Sequence, residues 1–318
     1  MAEPSSFIVT RDVSFTYHAK PGFFEMLSGH KPAGHAALNH ITFQVPLSLH
    51  AAIYGQEGAG KTTLLRLLTG TLRPTTGSIR VNGQPPHAIK HIAAGYVSSE
   101  ESEPRRETCH QVLSAFAATH GINDAPARIS DVSDALGFAA HLHRPADQLS
   151  SALRLKLNLA RAALSDTPLI LLDDVADQLG GAYTAEVIAA LYTGRTVLVA
   201  TRRAETAEQL SLPLLILHGG RLTHFGTVEE IAADLSCPRI VDVWIEGLRY
   251  DLLRRVREQS GVTEARLLPS TQFSGQRLRI TLHSARYLPA LYDLVSRAPL
   301  IKVVELPASL NDIVSRLR

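Results

Sequence analysis

The run Gly55-Gln56-Glu57-Gly58-Ala59-Gly60-Lys61-Thr62-Thr63 restricts this chain more than any other stretch. It fits the spacing G-x-x-x-x-G-K-[ST] of a phosphate-binding loop. The flanks have the character the loop requires. His50 to Tyr54 is short and mostly apolar, as a buried strand is. Lys61 to Thr69 carries Leu64, Leu65, Leu67 and Leu68, reads as a helix and stops at Gly70. Gly55, Gly58 and Gly60 let backbone N–H groups curl around phosphate oxygens with no Cβ in the way. The N-terminus of the helix, at Lys61 to Thr63, adds a partial positive charge. The motif assigns Lys61 to the β- and γ-phosphates and the Thr62 hydroxyl to Mg²⁺. The competing reading is a chance Gly-rich turn, which strand and helix in the right places argue against.

A chain of 318 residues suggests about two domains, and 45% hydrophobic content is ample for packed cores. Cys109 and Cys237 are far apart in sequence and form no C-x-x-C pair, so neither a disulfide framework nor a zinc site is expected, and a reducing compartment fits. Met1 to Thr10 lacks the basic and apolar regions of a secretory signal. No stretch reaches the roughly 18–20 apolar residues of a membrane span, so a membrane role is expected to come through a partner. A net charge of +2 gives no case for nucleic acid.

Along the chain, Phe7 to Tyr17 alternates like an edge strand. His18 to Ala37 is a polar insertion with a short helix expected near Phe23 to Leu27, and Leu38 to Val45 resumes a strand. Strands are expected at Ser78 to Val81 and Ala94 to Ser98. Between about 100 and 166 the pattern is helical, at Cys109 to Thr119, Ile129 to Leu136 and Ser151 to Leu164. Leu169 to Leu172 is a buried strand ending in Asp173-Asp174. A helix at Thr184 to Tyr192, a strand at Thr196 to Thr201 and a hairpin turning at Gly219-Gly220 follow. After Pro238 the order is strand, helix, strand, strand, helix, strand, the split βαβ of ferredoxin-like domains. A last helix is expected at Ser309 to Leu317. The division therefore falls at 1–238 and 239–318.

The loop, the helical block with Leu149 to Leu164, and the apolar strand ending at Asp173 come in an order and spacing that resemble the nucleotide-binding subunit of an ABC transporter. The resemblance covers about residues 7 to 235. It implies an α/β P-loop ABC ATPase domain with a helical subdomain, followed here by the small α+β domain. The insertion at 18–37, the tail domain and the ending Ser309-Leu310-Asn311-Asp312-Ile313 resemble the ABC-2-type export ATPases. By that resemblance Tyr17 stacks on adenine, Asp173 holds Mg²⁺ with Thr62, and Ser150 contacts a γ-phosphate from the signature segment. ATP and Mg²⁺ are the implied cofactors. The implied partners are a transmembrane permease and a second ABC ATPase subunit, placing the chain peripherally on the cytoplasmic face of the membrane.

Five motifs depart from the family pattern. The catalytic glutamate falls on Asp174, one methylene shorter, and a misplacement of about 1 Å costs on the order of 10²-fold in rate. The switch histidine falls on Arg202, a permanent cation that can clamp phosphate but cannot copy a neutral imidazole. The Q-loop glutamine falls on Ser99, beside Glu100 and Glu101. The signature reads Leu149-Ser150-Ser151-Ala152-Leu153, without its glycines and glutamine, and the D-loop aspartate falls on Gly180. Nucleotide capture is intact and the catalytic positions, Asp174 and Arg202, are altered. The sequence thus points to an energy-coupling export subunit with weak hydrolysis, as a homodimer or with a better-equipped partner. A regulatory module that binds ATP without turnover is the alternative. A kinase or GTPase finds no support, since no guanine-reading N-K-x-D occurs and the signature segment would have no role.

Overall fold

The computed structural model describes residues 6–17, 34–89, 92–99, 106–165, 167–269, 275–306 and 308–317. The helix expected near Phe23 to Leu27, and Glu100 and Glu101, lie outside them. Two compact units divide the chain, Met1–Phe225 and Gly226–Arg318. The division falls before 238 because a helix at Val228–Asp234 packs with the C-terminal helix Leu310–Arg316.

The first unit is built on a six-stranded sheet. Its strands are β3 (His50–Tyr54), β5 (Tyr96–Ser98), β6 (Leu169–Asp173), β7 (Thr196–Thr201), β8 (Leu214–His218) and β9 (Arg221–Gly226), in the order β5-β6-β7-β3-β8-β9. From β5 to β8 the neighbours run parallel. All of β6 and β7 and most of β3 are buried, which explains their unbroken apolar runs: a parallel strand is covered on both faces. Beside it lies a three-stranded antiparallel sheet of β1 (Ser6–Tyr17), β2 (His35–Pro46) and β4 (Thr76–Val81), ordered β2-β1-β4. Bulges bend this pair, with Asp12 and His40 at positive φ, and its register sets Tyr17 opposite His35.

Register decides where the chemistry goes. Tyr54 pairs with Thr201, Asp173 with Ala200, and Ser98 with Asp173. The strands' carboxyl ends are therefore level, and the residues that follow them, Gly55, Asp174, Arg202 and Ser99, emerge side by side. This is where open parallel sheets place ligands. Helix α1 (Lys61–Leu68) starts directly after the loop and buries Leu64, Leu65, Leu67 and Leu68. The helical block contains α2 (Cys109–Thr119), α3 (Ala125–Ala135) and α4 (Ser151–Leu164). A Thr108–Gln111 capping box starts α2, and Ser150 caps α4.

Some elements differ from the sequence reading. The chain between 92 and 95 is a 3₁₀ turn, so β5 starts only at Tyr96. A short helix, α5 (Val175–Leu179), precedes the expected helix α6 (Gly181–Leu191), which starts three residues earlier than read, and α7 (Ala204–Leu210) follows β7. At five and seven residues, α5 and α7 are too short to show a helical period.

The second unit opens with α8 (Val228–Asp234). It continues through β10 (Arg239–Ile245), α9 (Tyr250–Glu258), β11 (Val262–Leu268), β12 (Gln276–Leu282), α10 (Leu288–Val295), β13 (Leu300–Leu306) and α11 (Leu310–Arg316). Its antiparallel sheet has the order β11-β12-β10-β13. The two strands ending each half are thus outermost and the first and third are central, the ferredoxin-like arrangement. Val241, Val243 and Ile245 of β10 form its core with Leu253, Val256, Leu291 and Val295 of the two helices.

Asp242 alternates onto the other face of β10 and is buried, with only 1% of its side chain exposed. Arg277 reaches its Oδ2 at 2.5 Å, and Arg279 holds it bidentately at 2.8 Å. Burial alone would raise this carboxyl, but the hydrogen bonds from Arg279 and Arg277 hold it below its usual range. A carboxylate depressed by folding stabilises the protein above its unfolded pKa of about 3.9, and that stabilisation disappears as pH falls through the folded value. Asp242→Asn should cost about 3 kcal/mol at pH 7, the lower end for a broken buried pair because both arginines are part-exposed. Thermal melts should show the gap between wild type and variant closing below about pH 4.

Candidate nucleotide site

The glycine turn after β3 is held by close contacts. Gly58 and Gly60 have φ of 75° and 97°. A Cβ at Gly60 would stand 2.6 Å from the Ala37 carbonyl oxygen and from Leu38 Cδ2, and one at Gly55 would stand 2.6 Å from the Leu217 carbonyl oxygen. Gly55 is therefore fixed by packing, and Gly60 by packing as well as by conformation. The Lys61 ammonium folds back over the turn and donates to the carbonyls of Gly55 at 2.9 Å and Gln56 at 3.2 Å. Burial pulls its pKa down, against the attraction of Asp174, Asp173 and Asp177. An incoming phosphate would supply a stronger, charge-assisted acceptor than either carbonyl.

Below the turn, Thr62 Oγ1 donates to Asp173 Oδ1 at 3.2 Å, and the Tyr96 hydroxyl donates to Asp173 Oδ2 at 2.8 Å. Asp173 is 3% exposed. A hydroxyl and a carboxylate oxygen at this separation are the hard donors that Mg²⁺ prefers, so the pair fits that ion. Burial and the neighbouring Asp173 raise the Tyr96 phenol, which keeps it a donor.

The turn opens into a cleft of about 520 Å³ lined by Tyr17, Gly58, Gly60, Lys61, Thr62, Thr63, Asp174 and Arg202, with Ser99 also in the wall. Tyr17 stands at 39% exposure, edge-on to Phe15, and its hydroxyl lies 3.2 Å from Thr63 Oγ1. Asp174 has φ of 54°, a conformation Asp tolerates better than most residues. It starts α5 without capping it, and its Oδ1 is buried with no hydrogen-bond partner among the described residues. Burial raises its pKa, Lys61 opposes this, and Asp173 and Asp177 add to the rise. A half-buried carboxylate with a spare lone pair and a raised pKa can accept a proton from water.

Arg202 extends over the turn to Glu57, with Nη1 3.7 Å from Oε2. Both ends are solvent-exposed, so this pair adds little stability. The backbone at Arg202 is held more firmly: its N–H donates to Asp177 Oδ2 at 3.1 Å, and the Thr201 hydroxyl donates to Asp177 Oδ1 at 2.6 Å.

The fold thus gathers Tyr17, the loop, Asp173, Asp174 and Arg202. Ser150 is elsewhere, exposed at the start of α4, where its Oγ accepts from the Leu153 N–H at 3.4 Å. Gly180 sits at φ 93°, ψ 143°, a region closed to side-chain-bearing residues, so the missing D-loop aspartate goes with a different backbone. Sequence reasoning missed Tyr96, Asp177, His35, Gln178 and Arg203. Asp177 had a signal in its place one helical turn after Asp174; His35 became visible only through its register with Tyr17.

A glycine turn between a buried parallel strand and a helix, with a threonine–aspartate pair below it, defines a P-loop nucleotide-binding protein. Residues 38–177 match the family described as ABC transporter, and the chain contains an ATP-binding domain of that family. The daunorubicin resistance ATP-binding protein DrrA3 of Streptomyces coeruleorubidus is 28% identical over 74% of this chain and 74% of its own length. The Nod factor export ATP-binding protein I of Paraburkholderia xenovorans is 29% identical over 85% of this chain and 90% of its own. In fold, the chain is similar to cbiO1 from Clostridium perfringens, part of the ABC transporter complex cbiONQ. The TM-score is 0.58 at 16% identity, over 80% of this chain and 96% of that one.

Lys61→Ala should weaken binding of a fluorescent ATP analogue roughly 10- to 100-fold, the value of a charge-assisted contact. Gly60→Ala should weaken it as well, because the added methyl forces the turn away from Ala37. Equilibrium titration of both variants checks this.

Proposed function

We propose that this chain is the ATP-binding, energy-coupling subunit of an ABC-2-type export transporter. A separate membrane permease would carry the cargo, since no helix among the described residues is long and apolar enough to cross a membrane. ATP would be held by Lys61 and the loop N–H groups, with its base on Tyr17. Mg²⁺ would be held by Thr62 and Asp173 and would neutralise charge between the β- and γ-phosphates. A second ATPase subunit, identical or not, would close over the cleft and present its signature serine. The exposed, outward placement of Ser150 supports that division of labour. Closure would bias the permease by binding ATP differently in its open and closed states.

The observation that carries the reading is the contrast within one cleft. The phosphate-holding side has its full set of groups in contact. On the γ-phosphate side Asp174 stands on the shorter stem and Arg202 replaces the switch histidine. Slow hydrolysis follows, at a cost of about 10²-fold for a base displaced by about 1 Å. The altered residues Ser99, Ser151, Ala152 and Gly180 favour a second reading, a regulatory module that binds ATP and stabilises a complex without turnover.

The double variant Asp174→Glu, Arg202→His should raise ATP turnover of the purified chain by at least about 10-fold if these two side chains limit the rate. Phosphate release at saturating MgATP measures it. An unchanged rate would favour the module without turnover.

A further inference from the structure

We propose that Tyr96 is a positioning residue for the Mg²⁺ site: its hydroxyl holds one oxygen of Asp173 so that the other faces Thr62. The proposal rests on the Mg²⁺ reading of Thr62 and Asp173 and goes beyond it to a residue that reading leaves out. Asp173 offers two oxygens, and the two are used differently. Oδ1 meets the Thr62 hydroxyl at 3.2 Å, and Oδ2 accepts from Tyr96 at 2.8 Å, the shorter and firmer contact. A carboxylate anchored through one oxygen cannot rotate to offer either oxygen at random, which is how a partner behind a ligand raises metal affinity.

The anchor is itself held. Arg66 is near enough to Tyr96 for the guanidinium and the phenol to influence each other's charge. Thr62 and Arg66 are one helical turn apart on α1, so they share a face. That one face thus carries the hydroxyl that meets Oδ1 and a guanidinium whose charge bears on the phenol at Oδ2. Beside them, Tyr96 and Ser98 of β5 pair in register with Leu171 and Asp173 of β6. Thr62, Asp173 and Tyr96 thus form a chain of contacts from helix to carboxylate to phenol. Tyr96 would touch neither nucleotide nor metal.

The test is a Mg²⁺ titration of fluorescent ATP-analogue binding, with EDTA as the metal-free reference, for wild type and Tyr96→Phe. The variant removes one hydroxyl and keeps the ring. The half-saturating Mg²⁺ concentration should rise about 10-fold, at the low end for losses behind a metal ligand. Binding in EDTA should stay the same. An unshifted Mg²⁺ midpoint in the variant would overturn the role of Tyr96 alone. Equal weakening with and without Mg²⁺ would also overturn it, assigning Tyr96 to the fold. A wild type indifferent to Mg²⁺ would overturn the metal assignment and Tyr96's role together. Should Tyr96→Phe fail to fold, Arg66→Gln perturbs the same phenol by removing the nearby charge. It should shift the midpoint in the same direction by a smaller factor, and no shift would count against the proposal.

Discussion

The close approach of the Gly60 backbone to Ala37 and Leu38 is the contact on which the site depends. It lets the chain leave β3, reverse through residues at positive φ and enter α1 within a few residues. With any side chain there, the helix N-terminus would be displaced from the carboxyl end of the sheet. Thr62 would then lose Asp173, and the Lys61 ammonium would leave the turn. The same packing brings β2, and with it the His35 and Tyr17 end of the small sheet, to the mouth of the cleft. One steric constraint thereby sets the positions of Lys61, Thr62 and Tyr17 together.

Much of this was legible in the sequence because it rests on local rules. Glycine spacing, a leucine-rich helix after the loop, and unbroken apolar strands at 169–172 and 196–201 each follow from short-range physics. The ferredoxin-like order of the second unit was legible for the same reason, since its strands and helices are long enough to show their periods. What escaped were contacts set by register between distant strands. Tyr96 reads as an ordinary strand aromatic until β5 is laid against β6 and its hydroxyl meets Asp173. Asp177 reads as a helix residue until β7 brings Thr201 and Arg202 to it. The unit boundary was missed because the helix at 228–234 is short and its partner lies some eighty residues later at 310–316.

The altered positions are not scattered. Asp174 and Arg202 face the cleft from the ends of β6 and β7 and Ser99 from the end of β5, while Gly180 ends α5. Ser150, Ser151 and Ala152 are exposed at the start of α4, on a surface that a neighbouring subunit could meet. None of the altered residues lies in the glycine turn or under it. Selection for nucleotide capture and relaxation of cleavage would leave this distribution.

Turnover by the purified chain at saturating MgATP, measured beside equilibrium nucleotide binding on the same preparation, tests this most directly. Saturable binding with a rate below about 0.1 s⁻¹, some 10²-fold under the median enzyme, is the expected result. Turnover near 10 s⁻¹, the median for enzymes in general, would contradict it and show that Asp174 and Arg202 form a competent hydrolytic pair.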